Sequence, residues 1–198
     1  IAQRLGMNLI KAELQDLGFR ALHPWRHAVI SKRIRTQPVV RRESLVQIEA
    51  HLAQRLAKEK LMHRLVSRVK SPWSIYTKMR GEHKSFAQVM DVFGFRIVVR
   101  NVPDCYHALG VVHAAYKPLD SRFRDFIAIP KANGYQSLHT VLFGPYGSPV
   151  EVQIRTTEMD LVAERGIAAH WTYKYGTDAP NSAQNRAHAW IVELIDNQ

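Results

Sequence analysis

A single cysteine, Cys105, stands in the chain, so there can be no internal disulfide and no cysteine-ligated zinc centre. That usage fits a reducing cytosol, and a cytoplasmic protein is expected. Long apolar runs are missing too. None approaches the ~20 residues of a bilayer-spanning helix, and Ile1 to Leu9 has neither the basic nor the apolar part of a secretory signal, so no membrane partner is expected. Glycine and proline are scarce, at 10 and 9 of 198 residues, which excludes collagen-like and low-complexity chains. Acidic residues are the remaining shortage. Seventeen Asp and Glu face 28 Lys and Arg, for a formal net charge of +11. Such an excess selects anionic partners, and nucleic acid, nucleotide phosphates and anionic surfaces all qualify by charge alone.

Several sites are also absent. There is no G-x-x-x-x-G-K-[ST] and no G-x-G-x-x-G, so any nucleotide phosphates must be held by side chains. No His-Glu-x-x-His occurs. His23 and His27 are separated by Pro24, and His107 and His113 lie too far apart along a helix, which leaves no histidine zinc site. A His-Asp dipeptide and Gly-x-Ser-x-Gly are missing as well, which argues against a metal phosphohydrolase of the His-Asp type and a serine hydrolase.

What is present has two characters. The first forty residues read as helical: Ile10, Leu14 and Leu17 recur at helical spacing before Gly18, a plausible stop, and Trp25 and Ile30 fall in a second amphipathic stretch after Pro24. Leu45, Ile48, Leu52 and Leu56 then mark one face of a helix over Glu43 to Lys60. Beyond it the period changes. Met62 to Lys70 alternates like a strand, and Ser71-Pro72 starts a helix that Gly81 closes. A short helix is expected over Ser85 to Met90, a strand over Phe93 to Val99, and a helix over Pro103 to Tyr116 with Cys105 on its buried side. Further strands are expected over Phe123 to Ile129, Ser137 to Phe143 and Val150 to Ile154, the last two joined by the turn-rich Gly144 to Pro149. Thr156 or Thr157 caps a helix running to about Tyr175, and a last helix carries Trp190, Ile191, Leu194 and Ile195. The expected class is α+β, a mixed sheet of about five strands flanked by helices, with an N-terminal helical segment. The chain starts in what reads as mid-helix, which suggests a piece of a longer protein. The expected division is 1–38 as a helical remnant and linker, 39–178 as the main domain, and 179–198 as a helical tail.

Two carboxylates stand beside strands in basic surroundings: Asp91, just before Val92-Phe93-Gly94-Phe95-Arg96, and Glu151, inside Val150-Glu151-Val152-Gln153-Ile154-Arg155. If those strands are neighbours, the pair can share one hard cation, since Mg²⁺ is commonly held by one or two carboxylates plus substrate phosphates. The run from Arg122 to Thr140 is the second constellation. It offers Lys131 as a point charge for phosphate, Tyr135 as a flat ring for a base, and His139 four residues on. Its Asn133-Gly134 pair marks a turn on local grounds.

These residues resemble the RelA/SpoT-type alarmone synthetases, of the bifunctional kind. The resemblance is carried in order by Ser67-Arg68-Val69-Lys70, Ser74-Ile75-Tyr76-x-Lys78-Met79, Asp91 to Arg96, Ile129 to Thr140, Val150 to Thr156 and Ala168-Ala169-His170-Trp171-x-Tyr173-Lys174. It covers roughly Arg64 to Gly176, with Ile1 to about Pro24 similar to the end of the family's preceding hydrolase domain. The resemblance implies a nucleotidyltransferase-like fold and Mg²⁺-dependent transfer of pyrophosphate from ATP to the 3′-hydroxyl of GDP or GTP, with AMP as co-product. Asp91 and Glu151 would hold the metal, with Glu151 also the base. Arg68 and Arg96 would clasp the adenine, and Lys70, Ser74 and Lys78 would complete the ATP site. Tyr135 would stack on guanine beside Asn133, and Arg124, Lys131 and His139 would neutralise the guanosine phosphates. The basic Arg122-Phe123-Arg124-Asp125 resembles the motif linked to GDP preference. Departures are small: Ser67, Trp73 and Gly94 stand where Gly, Tyr and Ala are usual. Ribosome or tRNA contact would run through regions outside this chain. Two other functions compete. A catalytically silent nucleotide- or RNA-binding regulatory module has little need of both carboxylates, and an RNA nucleotidyltransferase would carry an Asp-x-Asp that is absent here.

Overall fold

The computed structural model describes residues 8–36, 42–89, 92–131, 134–144, 147 and 149–165. Within them the chain forms helices α1 (Asn8–Leu22), α2 (Pro24–Thr36) and α3 (Arg42–Lys58), strand β1 (His63–Val69), helix α4 (Pro72–Gly81), strand β2 (Phe93–Val99) and helix α5 (Val102–Ala115). A two-residue strand β3 (Arg124–Asp125), strands β4 (Leu138–Phe143) and β5 (Pro149–Thr156), and helix α6 (Thr157–Arg165) follow. The sheet has the order β1-β2-β5-β4-β3, with β2 and β5 parallel and every other pair antiparallel. It is the five-stranded mixed sheet expected, and the β4–β5 hairpin forms across Gly144 to Pro149.

Alternation gives the sheet two different faces. Phe93, Phe95, Ile97 and Val99 of β2 are buried, as are Val150, Val152 and Ile154 of β5 and Leu138 and Leu142 of β4. This apolar face joins Leu52 and Leu56 of α3 and Cys105, Ala108 and Val112 of α5 in one core. Fully burying an aliphatic side chain contributes about 1.5–3 kcal/mol, so this layer carries most of the stability. The Cys105 thiol is packing here, as expected: burial first, then the Asp104 charge, pushes its pKa to about 12. Polar side chains fill the opposite face, which is where the site lies.

Several boundaries differ from the sequence expectation, each for a local reason. Helix α1 runs through Gly18 to Leu22, and Ile10, Leu14 and Leu17 are exposed while Phe19 is buried. Phe19 stacks on Tyr76 of α4 at 4.7 Å and tilts against Trp73 at 5.5 Å, so the aromatic contact rather than the leucine spacing selects the inward side. Trp25 stays 76% exposed, whereas Ile30 is buried. Helix α4 starts as expected, with the Ser71 hydroxyl accepting from the Ser74 N–H and Pro72 in the first turn. Gly81 is its last residue, but the turn-off comes at His83. Of the short helix expected over Ser85 to Met90, the described residues Ser85 to Val89 give only a 3₁₀ turn at Phe86–Gln88, and Met90 lies outside the described residues.

The expected strand over Phe123 to Ile129 shrinks to two residues because Asp125 ends it. Its Oδ1 accepts from the Ile127 and Ala128 N–H groups at 2.9 and 2.8 Å, which bends the backbone out of the ladder. The Thr156 hydroxyl caps α6 by accepting from the Met159 N–H at 3.2 Å. The helix is described to Arg165; its expected continuation to Tyr175 and the last helix lie outside the described residues. No helix among the described residues is long and apolar enough to cross a membrane.

Candidate active site

Strand register assembles the site. Across one row, Arg68 of β1 stands opposite Gly94 of β2, Gly94 opposite Glu151 of β5, and Glu151 opposite Val141 of β4. One step along, Val66, Arg96, Gln153, His139 and Arg124 form a second row. Residues two apart on a strand share a face, so Arg68, Arg96, Glu151, Gln153, His139 and Arg124 all stand on the polar side of the sheet. The central glycine matters here. A Cβ at Gly94 would come 2.7 Å from the Glu151 carbonyl oxygen and 3.3 Å from its Cβ, so the bare backbone gives Glu151 its room.

Two cavities open on this face. The larger, about 360 Å³, is lined by Arg68, Lys70, Lys78, Arg96, Arg124 and Lys131 together with Phe126, His139, Glu151 and Gln153. The smaller, about 160 Å³, adds Lys84, Gln88 and Arg122 to the shared Lys78, Arg124, His139 and Glu151. Among the described residues, Glu151 is the only carboxylate lining either one. A single acid inside a ring of cations suits an anionic ligand with one point where a proton or a metal ion is handled.

Glu151 does not stand alone. Its Oε1 lies 3.1 Å from His139 Nδ1, and His139 Nε2 lies 2.8 Å from the Tyr135 hydroxyl, which makes a Tyr135–His139–Glu151 chain across β4 and β5. Burial is the main cause raising the Tyr135 pKa, so the phenol stays protonated. The rings of Phe126 and His139 meet edge-on at 5.3 Å, and the Lys131 ammonium lies 4.5 Å from the Phe126 centroid and 5.2 Å from that of Tyr135. Gly134 holds this loop in shape: its N–H donates to the Lys131 carbonyl at 2.8 Å, and its φ of 73° is one that side chains resist.

Most of the site residues expected from sequence thus meet on one face. Two of the described ones line neither cavity: Ser74, whose hydroxyl is 3.0 Å from that of Ser71, and Tyr135, which packs behind the lining against His139 and Phe126. Asp91 and Asn133 lie outside the described residues. The neighbouring strands that a shared cation required are present, because β2 pairs with β5. Among the described residues no group of three or more His, Cys, Asp and Glu could hold a metal ion by itself. Sequence reading passed over Phe126, Gln153, Lys84 and Gln88. Only the alternation of β5, which puts Gln153 beside Glu151, carried a usable signal.

The N-terminal helices reach the site through α4. Asp16 Oδ1 accepts the Trp73 N–H at 3.0 Å, at the start of the helix that carries Lys78, and Arg26 donates to the Tyr76 hydroxyl. A carboxylate at a helix N-terminus also complements the helix dipole.

A basic cavity built on a five-stranded mixed sheet, with one carboxylate among its described lining residues, defines a site suited to an anionic, phosphate-bearing ligand. Comparison with known proteins makes this particular: the region found in RelA / SpoT proteins matches residues 67–178, and the chain belongs to that family. It is 45% identical over 198 residues to the bifunctional (p)ppGpp synthase/hydrolase SpoT of Escherichia coli, covering 100% of this chain and 28% of that protein. A GTP pyrophosphokinase of Myxococcus xanthus is 42% identical, again over 100% of this chain and 26% of its own length. The chain therefore spans about a quarter of the curated relatives it matches. Among solved structures, the small alarmone synthetase 1 of Bacillus subtilis superposes with a TM-score of 0.55 at 26% identity, over 79% of this chain and 88% of that one.

Proposed function

We propose that this chain is an alarmone synthetase domain that transfers the β,γ-pyrophosphoryl group of ATP to the 3′-hydroxyl of GDP or GTP in the bacterial cytoplasm. The observation that carries this reading is Glu151, the one carboxylate among the described residues lining two cavities that are rich in Lys and Arg. Family membership and relatives named as (p)ppGpp synthase and GTP pyrophosphokinase support the same chemistry.

The roles follow from charge and position. Arg68, Lys70 and Arg96 take ATP in the larger cavity, Lys78 lies where the two cavities meet, and Ser74 stands one helical turn before Lys78. Tyr135, packed edge-on against the cavity-lining Phe126, takes guanine beside Asn133, while Arg124, Lys131 and His139 compensate the acceptor phosphates. Glu151 accepts the proton of the 3′-hydroxyl as its oxygen bonds to the β-phosphorus and the bond to the α-phosphate oxygen breaks, releasing AMP. His139, bonded to Glu151, fixes the carboxylate's direction. Phosphoryl transfers need positioning and charge compensation more than covalent catalysis, so this set suffices.

Asp91 and Glu151 are the residues that would hold Mg²⁺. The donor set fits: a carboxylate oxygen among phosphate-binding cations suits a hard ion that takes its remaining ligands from substrate and water. Bound there, Mg²⁺ would neutralise charge on the transferred phosphates.

The test is to incubate the chain with labelled ATP, Mg²⁺ and GDP or GTP and separate the nucleotides. Label on a 3′-pyrophosphorylated guanosine nucleotide, with AMP formed in equal amount, is expected. Glu151→Gln should abolish transfer, with a loss of at least about a thousandfold in kcat at an unchanged fold. ATP and GDP binding with no product in the parent chain would instead favour a silent binding module.

A further inference from the structure

Three arginines from three strands converge on one carboxylate outside the residues assigned above. Asp160, in the first turn of α6 and 7% exposed, has Arg64 Nη2 at 2.6 Å from its Oδ2. Arg96 Nη1 and Arg155 Nη2 lie 3.2 and 2.8 Å from its Oδ1. One turn further on, Glu164 pairs with the same Nη1 of Arg96. The register explains the convergence: Arg64 stands opposite Val98 and Val98 opposite Arg155, with Arg96 two residues back on the same face.

Three guanidiniums against two carboxylates leave one positive charge in excess. Burial, and then the neighbouring Arg96 charge, lower the pKa of Arg155, so the cluster opposes its own assembly. Breaking a buried ion pair strands a charge, which makes Asp160 the residue that holds the group together. Of the three arginines only Arg96 lines the larger cavity, in company with Arg68. Its side chain is 15% exposed; Nη1 donates a hydrogen bond to Glu164 and lies within ion-pair distance of Asp160 Oδ1, which itself has no hydrogen-bond partner, and neither has the Arg96 Nε. Two anions at one end of a guanidinium restrict where the group can sit while leaving its flat faces free, and such faces stack on aromatic rings.

We propose that Asp160 and Glu164 are positioning residues that clamp Arg96 by its edge and hold its flat face toward the larger cavity, preorganised to stack on the base of the bound nucleotide. The inference rests on the assignment of that cavity to ATP. An unclamped arginine would lose rotamer freedom at each binding event, and the clamp removes that cost beforehand. The contribution is specific to the base, because the phosphates are met by other cations.

The experiment compares binding of a non-hydrolysable ATP analogue with binding of inorganic tripolyphosphate, by calorimetry, in the parent chain, Glu164→Gln and Asp160→Asn. Glu164 is partly exposed and pairs with Arg96 without lining either cavity, so Glu164→Gln tests the idea even if Asp160→Asn fails to fold. Expected for Glu164→Gln is a roughly three- to tenfold fall in the ratio of analogue to tripolyphosphate affinity, with the melting temperature and GDP affinity unchanged. An unchanged ratio would overturn the proposal. So would tighter analogue binding at equal tripolyphosphate affinity, since the carboxylates would then compete with the nucleotide for Arg96. A parent chain that binds no ATP analogue would instead overturn the ATP assignment itself, and the clamp with it.

Discussion

His113 shows how a single side chain couples stability to pH. Its Nε2 lies 2.9 Å from the hydroxyl of the fully buried Thr140, and burial lowers its pKa from the ordinary 6.5. The native ring stays neutral where the unfolded chain's histidine takes up a proton. The unfolded state therefore binds more protons below about pH 6.5, and stability falls as the pH drops through that value, levelling only once the native ring titrates. His113→Gln should flatten the loss of melting temperature between about pH 7.5 and about pH 5 relative to the parent. Equal acid slopes in the two proteins would refute the assignment. The same scale shows what single residues disclosed in advance. Glu151, Lys131 and His139 stood out because charge and ring chemistry crowd into two short segments, and all three line the cavity. Phe126 did not, because an aromatic in a presumed strand reads as core until the Asp125 turn redirects it.

Helix ends are where local sequence and realised structure part. Both α3 and α4 close with the same pair of backbone bonds or its longer member: Leu61 N–H to the Leu56 carbonyl at 3.1 Å and Lys60 N–H to the Ala57 carbonyl at 2.9 Å, then Lys84 N–H to the Met79 carbonyl at 2.9 Å. Lys60 and His83 occupy the left-handed position that glycine prefers, with φ of 56° and 50°. Neither is glycine, so glycine spacing pointed to Gly18 and Gly81 instead. Leu61, the residue after Lys60, is buried in one cluster with Leu52 and Leu56, the hydrophobic contact that accompanies such an end. Lys60→Gly should raise the unfolding free energy by about 0.5–1 kcal/mol in urea titration, at unchanged m-value. A destabilised variant would mean that the lysine side chain contributes more than its backbone costs. Two starts were legible for a simple reason: Ser71 and Thr156 each accept a backbone N–H three residues on, an interaction contained in one turn, whereas Asn101 caps α5 in the same way one residue before the helix expected from Pro103 could use it.

For the whole molecule, the net charge of +11 is spread over the chain, yet the sheet gathers much of it at one face. Six of the larger cavity's lining residues are Lys or Arg. Charge screening reaches about 10 Å at 0.1 M salt, so the field of such a group is strongly salt-dependent. Affinity for the ATP analogue should fall by on the order of tenfold between about 50 and about 500 mM NaCl. Insensitivity to salt would mean that distant cations contribute nothing and only direct contacts hold the phosphates. The N-terminal helices belong to the same unit through Asp16 on the Trp73 N–H and the stacked Phe19–Tyr76 pair, which brace the helix carrying Lys78.

The sequence by itself determined the α+β class, the cores of most strands and helices, the inert burial of Cys105 and the family of the site. Each follows from period, cap chemistry or an uninterrupted motif, all of which act within a few residues. Only the tertiary structure decided that Glu151 is bonded to His139, that β5 lies between β2 and β4, and that Asp160 gathers Arg64, Arg96 and Arg155. Those facts depend on strand register and on a helix crossing the sheet, which join residues up to 96 positions apart in the chain. Local propensity carries no information over such a separation, because the energies that select one pairing arise only when both faces of the sheet are packed at once.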